Sequence, residues 1–145
     1  DLLDDFFTTE MHRQPVVPGA TDALARIAAV ADIVILTNLE DHHGDRRAVQ
    51  LAGHAMPYRV VTNQGPKGRA AKRIAGELGA GAIVFVDDLP QHHASMAQHL
   101  PDAARLHMIA EPALGARIDA APAAHARIDD WARAVPWILD RLDRG

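Results

Sequence analysis

Two short, wholly apolar runs constrain this chain more than any other feature. Residues 33–36 (IVIL) and 82–86 (AIVFV) lack the polar alternation of a half-buried strand, so each reads as a strand covered on both faces. Each run stops abruptly at polar residues, Thr37-Asn38 after the first and Asp87-Asp88 after the second. A strand covered on both faces needs helices above and below it, and the intervening sequence has helical periods. Ala20, Leu24, Ile27, Ala28 and Ala31 mark a first helix. Ala48, Leu51, Ala52 and Ala55 mark a second, stopped by Pro57, and Ala71, Ile74, Ala75 and Leu78 mark a third. A short fourth is expected over 93–100. Ile128, Trp131, Val135, Ile138 and Leu142 fit a last helix, which Pro136 should kink or divide. Residues 58–62 and 106–110 complete the strand set, and 111–124 reads mostly as loop.

Strands alternating with helices predict crossovers on a parallel sheet. The expected fold class is α/β, a Rossmann-like three-layer sandwich with a mainly parallel sheet. A length of 145 residues accommodates one core and is short for two. The expected organisation is a single domain over 1–145, with 1–17 as a flap or linker and 124–145 as a C-terminal helical segment. The net charge of −4 rests on well-mixed signs, which makes a poor match for a nucleic-acid backbone or an anionic membrane. No apolar run approaches the roughly 20 residues of a membrane span. The absence of cysteine fits a reducing compartment, so a cytoplasmic location is expected.

In parallel sheets of this kind ligands bind beyond the carboxyl ends of the strands. That rule selects three stretches, 37–43, 63–69 and 87–93. Asp87 and Asp88 arrive at the sheet mouth together. Adjacent carboxylates repel unless a cation or proton compensates them, and magnesium, a hard ion that keeps waters and substrate phosphates in its shell, suits such a pair. Their bland alternative is a helix cap or Asx turn. A hydroxyl at Thr37 with nearby backbone donors suits a phosphoryl oxygen, although threonine at a strand end is often only a turn residue. Lys67 lies in NQGPKG, where proline and glycine can fix the loop, and it is one of two lysines against thirteen arginines. Its mobile point charge can neutralise a carboxylate or a phosphoryl group.

VILTN at 34–38, Lys67 ahead of a helix, and IVFVDD at 83–88 together resemble the second, third and fourth motifs of the haloacid dehalogenase-like (HAD) superfamily, in order, strand context and separation. The resemblance covers about residues 15 to 110. It implies a Rossmann-like core and a magnesium-dependent phosphohydrolase or phosphoryl transferase working through an aspartyl-phosphate on a phosphorylated small molecule. On that reading Thr37 and Asn38 hold the phosphoryl oxygen, Lys67 stabilises the phosphorylated intermediate, Asp88 is the main magnesium ligand and Asp87 its partner. The stretches between motifs are too short for an inserted cap domain, which implies a small-cap or capless member.

The family's first motif, a strand ending in Asp-x-Asp whose first aspartate is the nucleophile, has no counterpart here. The chain begins DLLDDFFTTE, where Asp1 and Asp4 are wrongly spaced and Asp4-Asp5 lacks the intervening residue. The nucleophile is therefore not assigned. The segment reads as the stretch just after the missing strand, and an N-terminally incomplete representation is expected over a domain that has lost it, because a missing central strand would leave its neighbours' backbone groups unpaired. The alternative is a noncatalytic HAD-like ligand-binding or interaction domain, and a receiver-like phosphoacceptor ranks lowest. Two histidine pairs, His42-His43 and His92-His93, follow the strand ends, where imidazole could hold a transition metal or assist proton transfer; solvent-exposed or diverging rings are the commoner fate. Arg46-Arg47 reads as a solvated helix start. Trp131 and Trp137 are expected to pack the last helix or to form a homodimer surface.

Overall fold

The computed structural model describes residues 3–9, 19–38, 59–109 and 117–144. Its centre is a six-stranded sheet made of β1 (Leu3–Thr9), β2 (Ala31–Asn38), β3 (Arg59–Asn63), β4 (Ala80–Asp87), β5 (Ala104–His107) and β6 (Ala126–Arg127). The spatial order is β3-β2-β1-β4-β5-β6, and every neighbouring pair is parallel. The chain builds outward from β1 to β3 on one side and then crosses to β4 and outward again. That reversal sets a topological switch point between β1 and β4, where sheets of this class leave a crevice.

Parity along the strands divides the core in two. Ile33 and Ile35 of β2 with Val84 and Val86 of β4 face one way, onto α1 (Ala20–Ala28) and the C-terminal helix α4 (Trp131–Arg144). Val34, Leu36 and Phe85 face the other way, onto α2 (Gly68–Leu78) and α3 (Pro90–His99) through Ala71, Ile74, Ala75 and Met96. Both faces are dry, which is why the runs at 33–36 and 82–86 carry no polar alternation. Helices on both faces of a parallel sheet make the three-layer α/β sandwich that the sequence predicts.

Three expectations are corrected. Residues 3–9 belong to neither a flap nor a linker: they form β1, paired on one side from Asp4↔Ala31 to Thr9↔Leu36 and on the other from Leu3↔Ala80 to Thr8↔Val86. LDDFFTT shows neither a continuous apolar run nor an apolar period of two, so nothing local announces a strand. Its position between β2 and β4 satisfies the main-chain groups of both neighbours, a requirement set by the sheet and not by the segment. Second, Pro136 does not divide the last helix, and α4 runs through it from Trp131 to Arg144. Both Pro136 and Ala132, whose carbonyl loses its helical donor, are on the exposed side, where water can replace the bond. Third, β5 ends at His107 instead of running to 110, and β6 adds a two-residue edge strand just after the stretch read as loop, at the start of the segment expected to be helical. The helix expected over 48–55 and the pairs His42-His43 and Arg46-Arg47 lie outside the described residues.

Candidate functional site

β4 delivers Asp87 to the mouth of the sheet on the same parity as Phe85, toward α2 and α3. Across from it, β3 ends at Asn63 and the chain turns sharply into α2. The Asn63 side-chain amide donates to the carbonyl of Gly65 at 3.0 Å, and Gly65 sits at φ 78°, a left-handed conformation that glycine adopts without strain. This turn sets Lys67 immediately ahead of α2. Its ammonium donates to Asp87 Oδ2 at 2.9 Å, and neither side chain reaches solvent.

The second Asp87 oxygen is also engaged, since Oδ1 accepts the Leu89 N–H at 2.9 Å. Burial by itself would raise the Asp87 carboxyl. The charge of Lys67, assisted by His92 and by the hydrogen bonds from Lys67 and Leu89, outweighs it and holds this carboxyl below the ordinary aspartate range. Asp87 is therefore an anion at neutral pH whose charge Lys67 largely cancels. Asp88, one residue on, is only half-buried, with its Oδ1 enclosed.

α2 and α3 approach unusually closely at this point. The Gly68 N–H donates to Ser95 Oγ at 2.9 Å, and a Cβ on Gly68 would collide with the Ser95 carbonyl oxygen and come within 2.6 Å of Ser95 Oγ. Glycine is required here by contact, not by conformation. The close approach anchors the first turn of α2, and hence Lys67, against the helix that follows Asp87-Asp88.

β2 ends at Thr37-Asn38, in register with Thr62 and Asn63 of β3. The main chain therefore brings Thr37 and Asn38, the 63–67 turn and Asp87-Asp88 to one edge of the sheet, as the sequence rule predicts. Asp4 and Asp5 do not join them. They pair with Ala31 and Asp32 at the amino end of β2, four or more residues before Thr9, which at roughly 3.3 Å per residue sets them on the order of 13 Å from the carboxyl end of β1.

Of the histidines that underlie the mouth, the sequence singled out His93, as half of a pair, and gave His107 no role. His93 Nε2 lies 3.0 Å from the main-chain carbonyl of Asp87, and His107 Nε2 lies 2.9 Å from that of Asp88. His107 Nδ1 accepts the Ala121 N–H at 2.8 Å. Both rings are fully buried, they meet edge-on with centroids 5.4 Å apart, and Phe85 also packs against His93, edge-on and at the same separation. Burial is the main reason that both titrate below the usual histidine range. The polar partner of His93 Nε2 is thus a main-chain carbonyl. For His107 the only signal in the sequence is its place near the start of the strand-like run at 106–110.

Magnesium fits this donor set in kind. It prefers oxygen ligands, takes one or two carboxylates and retains waters and substrate phosphate. With Asp87 committed to Lys67 and Leu89, Asp88 is the carboxylate suited to it. Among the described residues no group of three or more histidine, cysteine or acidic side chains could form a closed metal cage.

No protein-family model matches the sequence, and no curated protein matches it either. Two solved structures share its fold. One is named as a haloacid dehalogenase-like hydrolase from Burkholderia xenovorans LB400, with a TM-score of 0.68 and 20% identity over 88% of this chain. The chain spans 59% of the length of that protein. The other is the D,D-heptose 1,7-bisphosphate phosphatase from B. bronchiseptica, complexed with magnesium and phosphate, with a TM-score of 0.64 and 17% identity over 95% of this chain and 99% of that one. The chain has the HAD-like fold.

Proposed function

We propose that the mouth of this sheet is a magnesium-supported phosphate site of a HAD-like phosphatase, acting on phosphate monoesters or transferring their phosphoryl group. The observation that carries the reading is the buried Lys67–Asp87 pair beside the half-buried Asp88. A lysine with its ammonium fully buried has no role at the surface, and an ion pair withdrawn from water is a costly structural device unless its position is used. In the proposed arrangement Asp88 offers its carboxylate to magnesium, Thr37 and Asn38 offer donors to phosphoryl oxygens, and Lys67 supplies a fixed positive charge near the transferring group. Magnesium supplies charge neutralisation and orientation of the phosphate. Asp87 orients Lys67 and takes no proton at neutral pH, since its carboxyl is held in the anionic form. The bisphosphate phosphatase of the same fold, complexed with magnesium and phosphate, supports this chemistry.

Turnover through an aspartyl-phosphate needs a carboxylate nucleophile at the carboxyl end of the central strand. β1 as described ends at Thr8-Thr9, and its aspartates are at the opposite end. That observation favours a second reading, a HAD-like domain that binds phosphate ligands without hydrolysing them. One measurement tests what the two readings share, and a second separates them. Calorimetry with inorganic phosphate, with and without magnesium, is expected to show magnesium-dependent binding that Asp88→Asn abolishes; binding indifferent to magnesium and to Asp88 sinks both. Release of p-nitrophenol from p-nitrophenyl phosphate, dependent on magnesium, selects the enzyme over the binding domain.

A further inference from the structure

We propose that His93 and His107 are paired positioning residues that aim the Asp87-Asp88 carboxylates by donating hydrogen bonds to the two successive main-chain carbonyls. The inference deepens the magnesium-phosphate reading and rests on it for its functional meaning. The proton positions are set by the partners. Ala121 donates its N–H to His107 Nδ1, so that nitrogen carries no proton, and Nε2 must carry the one it presents to the Asp88 carbonyl. The Asp87 carbonyl can only accept, so His93 Nε2 is likewise a donor. His93 Nδ1 is buried with no hydrogen-bond partner among the described residues, and a second proton there would be a buried donor without an acceptor.

The two rings reach the carbonyls from different elements. His93 comes from the first half of α3, and His107 ends β5, in register with Asp87 itself. The Asp87 carbonyl also accepts the Met108 N–H at 3.1 Å, so the peptide after Asp87 is fixed from the strand side and the helix side at once. Rotation of that peptide would re-aim both carboxylates, since it joins the two Cα atoms that carry them. Through Ala121, His107 further links the mouth to the chain between β5 and β6. Outer-shell donors of this kind typically change metal affinity by about 10- to 100-fold when removed.

Asparagine and glutamine separate positioning from mere packing. At position 107, asparagine can keep an acceptor near Nδ1 for Ala121 but has no donor at the Nε2 position, whereas glutamine can return a donor to the Asp88 carbonyl. We therefore compare His107→Asn with His107→Gln, and His93→Asn with His93→Gln, so that either pair of folded proteins gives the answer. The first readout is the backbone amide resonance of Leu89, which donates to Asp87 Oδ1, recorded without metal. The second is the magnesium dissociation constant by calorimetry. The asparagine variants are expected to displace the Leu89 amide and weaken magnesium about tenfold or more, with the glutamine variants within about threefold of the unaltered protein. Equal behaviour of asparagine and glutamine in both readouts overturns the proposal. If the unaltered protein binds no magnesium, the magnesium reading fails by itself, and the Leu89 amide still decides whether the histidines set the carboxylate pair.

Discussion

Lys67 Nζ lies 2.9 Å from Asp87 Oδ2 with both side chains wholly withdrawn from solvent, and this pair joins the start of α2 to the end of β4 across the mouth of the sheet. Removal of one member leaves the other charged and buried. Lys67→Met is expected to cost about 3–5 kcal/mol of unfolding free energy. The double change Lys67→Met with Asp87→Leu should recover much of that loss, because a desolvated pair is replaced by apolar contact. Urea denaturation of the three proteins tests this, and equal stability of the single and double variants would contradict it.

Gly68 has no room for a methyl group against Ser95. Gly68→Ala should force α2 from α3 and cost about 1–3 kcal/mol. Because Lys67 is the preceding residue, magnesium-dependent phosphate binding should weaken at the same time. Ser95→Ala creates no clash and removes only the acceptor of the Gly68 N–H, at a cost of about 1 kcal/mol. Thermal melts and phosphate titrations of the two variants should rank them in that order.

Asp88→Asn keeps the side chain's size and replaces its carboxylate with a neutral amide. Magnesium affinity should fall at least tenfold, in line with the loss of a directly ligating carboxylate, while stability in the presence of a chelator should change by less than about 1 kcal/mol because the substitution is isosteric. A large loss of stability with unchanged magnesium affinity would make Asp88 structural.

Stability should decline on acidification in two stages. The folded protein holds His93 and His107 below the usual histidine range, while the unfolded chain protonates them near pH 6.5. The unfolded state thus binds more protons below about pH 6.5, and stability present above that pH is lost as it falls toward the folded values. Asp87, also lowered, adds a second loss that begins near pH 4, where the unfolded carboxyl starts to protonate. Unfolding free energies at pH 7.5, 6 and 5 should therefore fall in that order, and His107→Gln should flatten the first stage. Stability that rises between pH 7.5 and 5 would contradict this.

The sequence by itself determined the parts of this protein whose physics is local. IVIL at 33–36 and AIVFV at 82–86 declare buried strands because every residue must tolerate an apolar face, and the structure covers both faces with helices. Strand ends are set by those runs, so Thr37-Asn38, Lys67 and Asp87-Asp88 are assigned to one edge by the sequence alone. What only the tertiary structure decided was pairing. LDDFFTT becomes the central strand because β2 and β4 each offer an unpaired row of main-chain groups, a demand that resides in its neighbours. Lys67 selects Asp87, and His93 and His107 select carbonyls, because the start of α2, the end of β4, α3 and β5 meet at one buried point, where each buried polar group must find its partner. Hydropathy patterns record which residues leave water; they do not record which polar groups meet once water has gone.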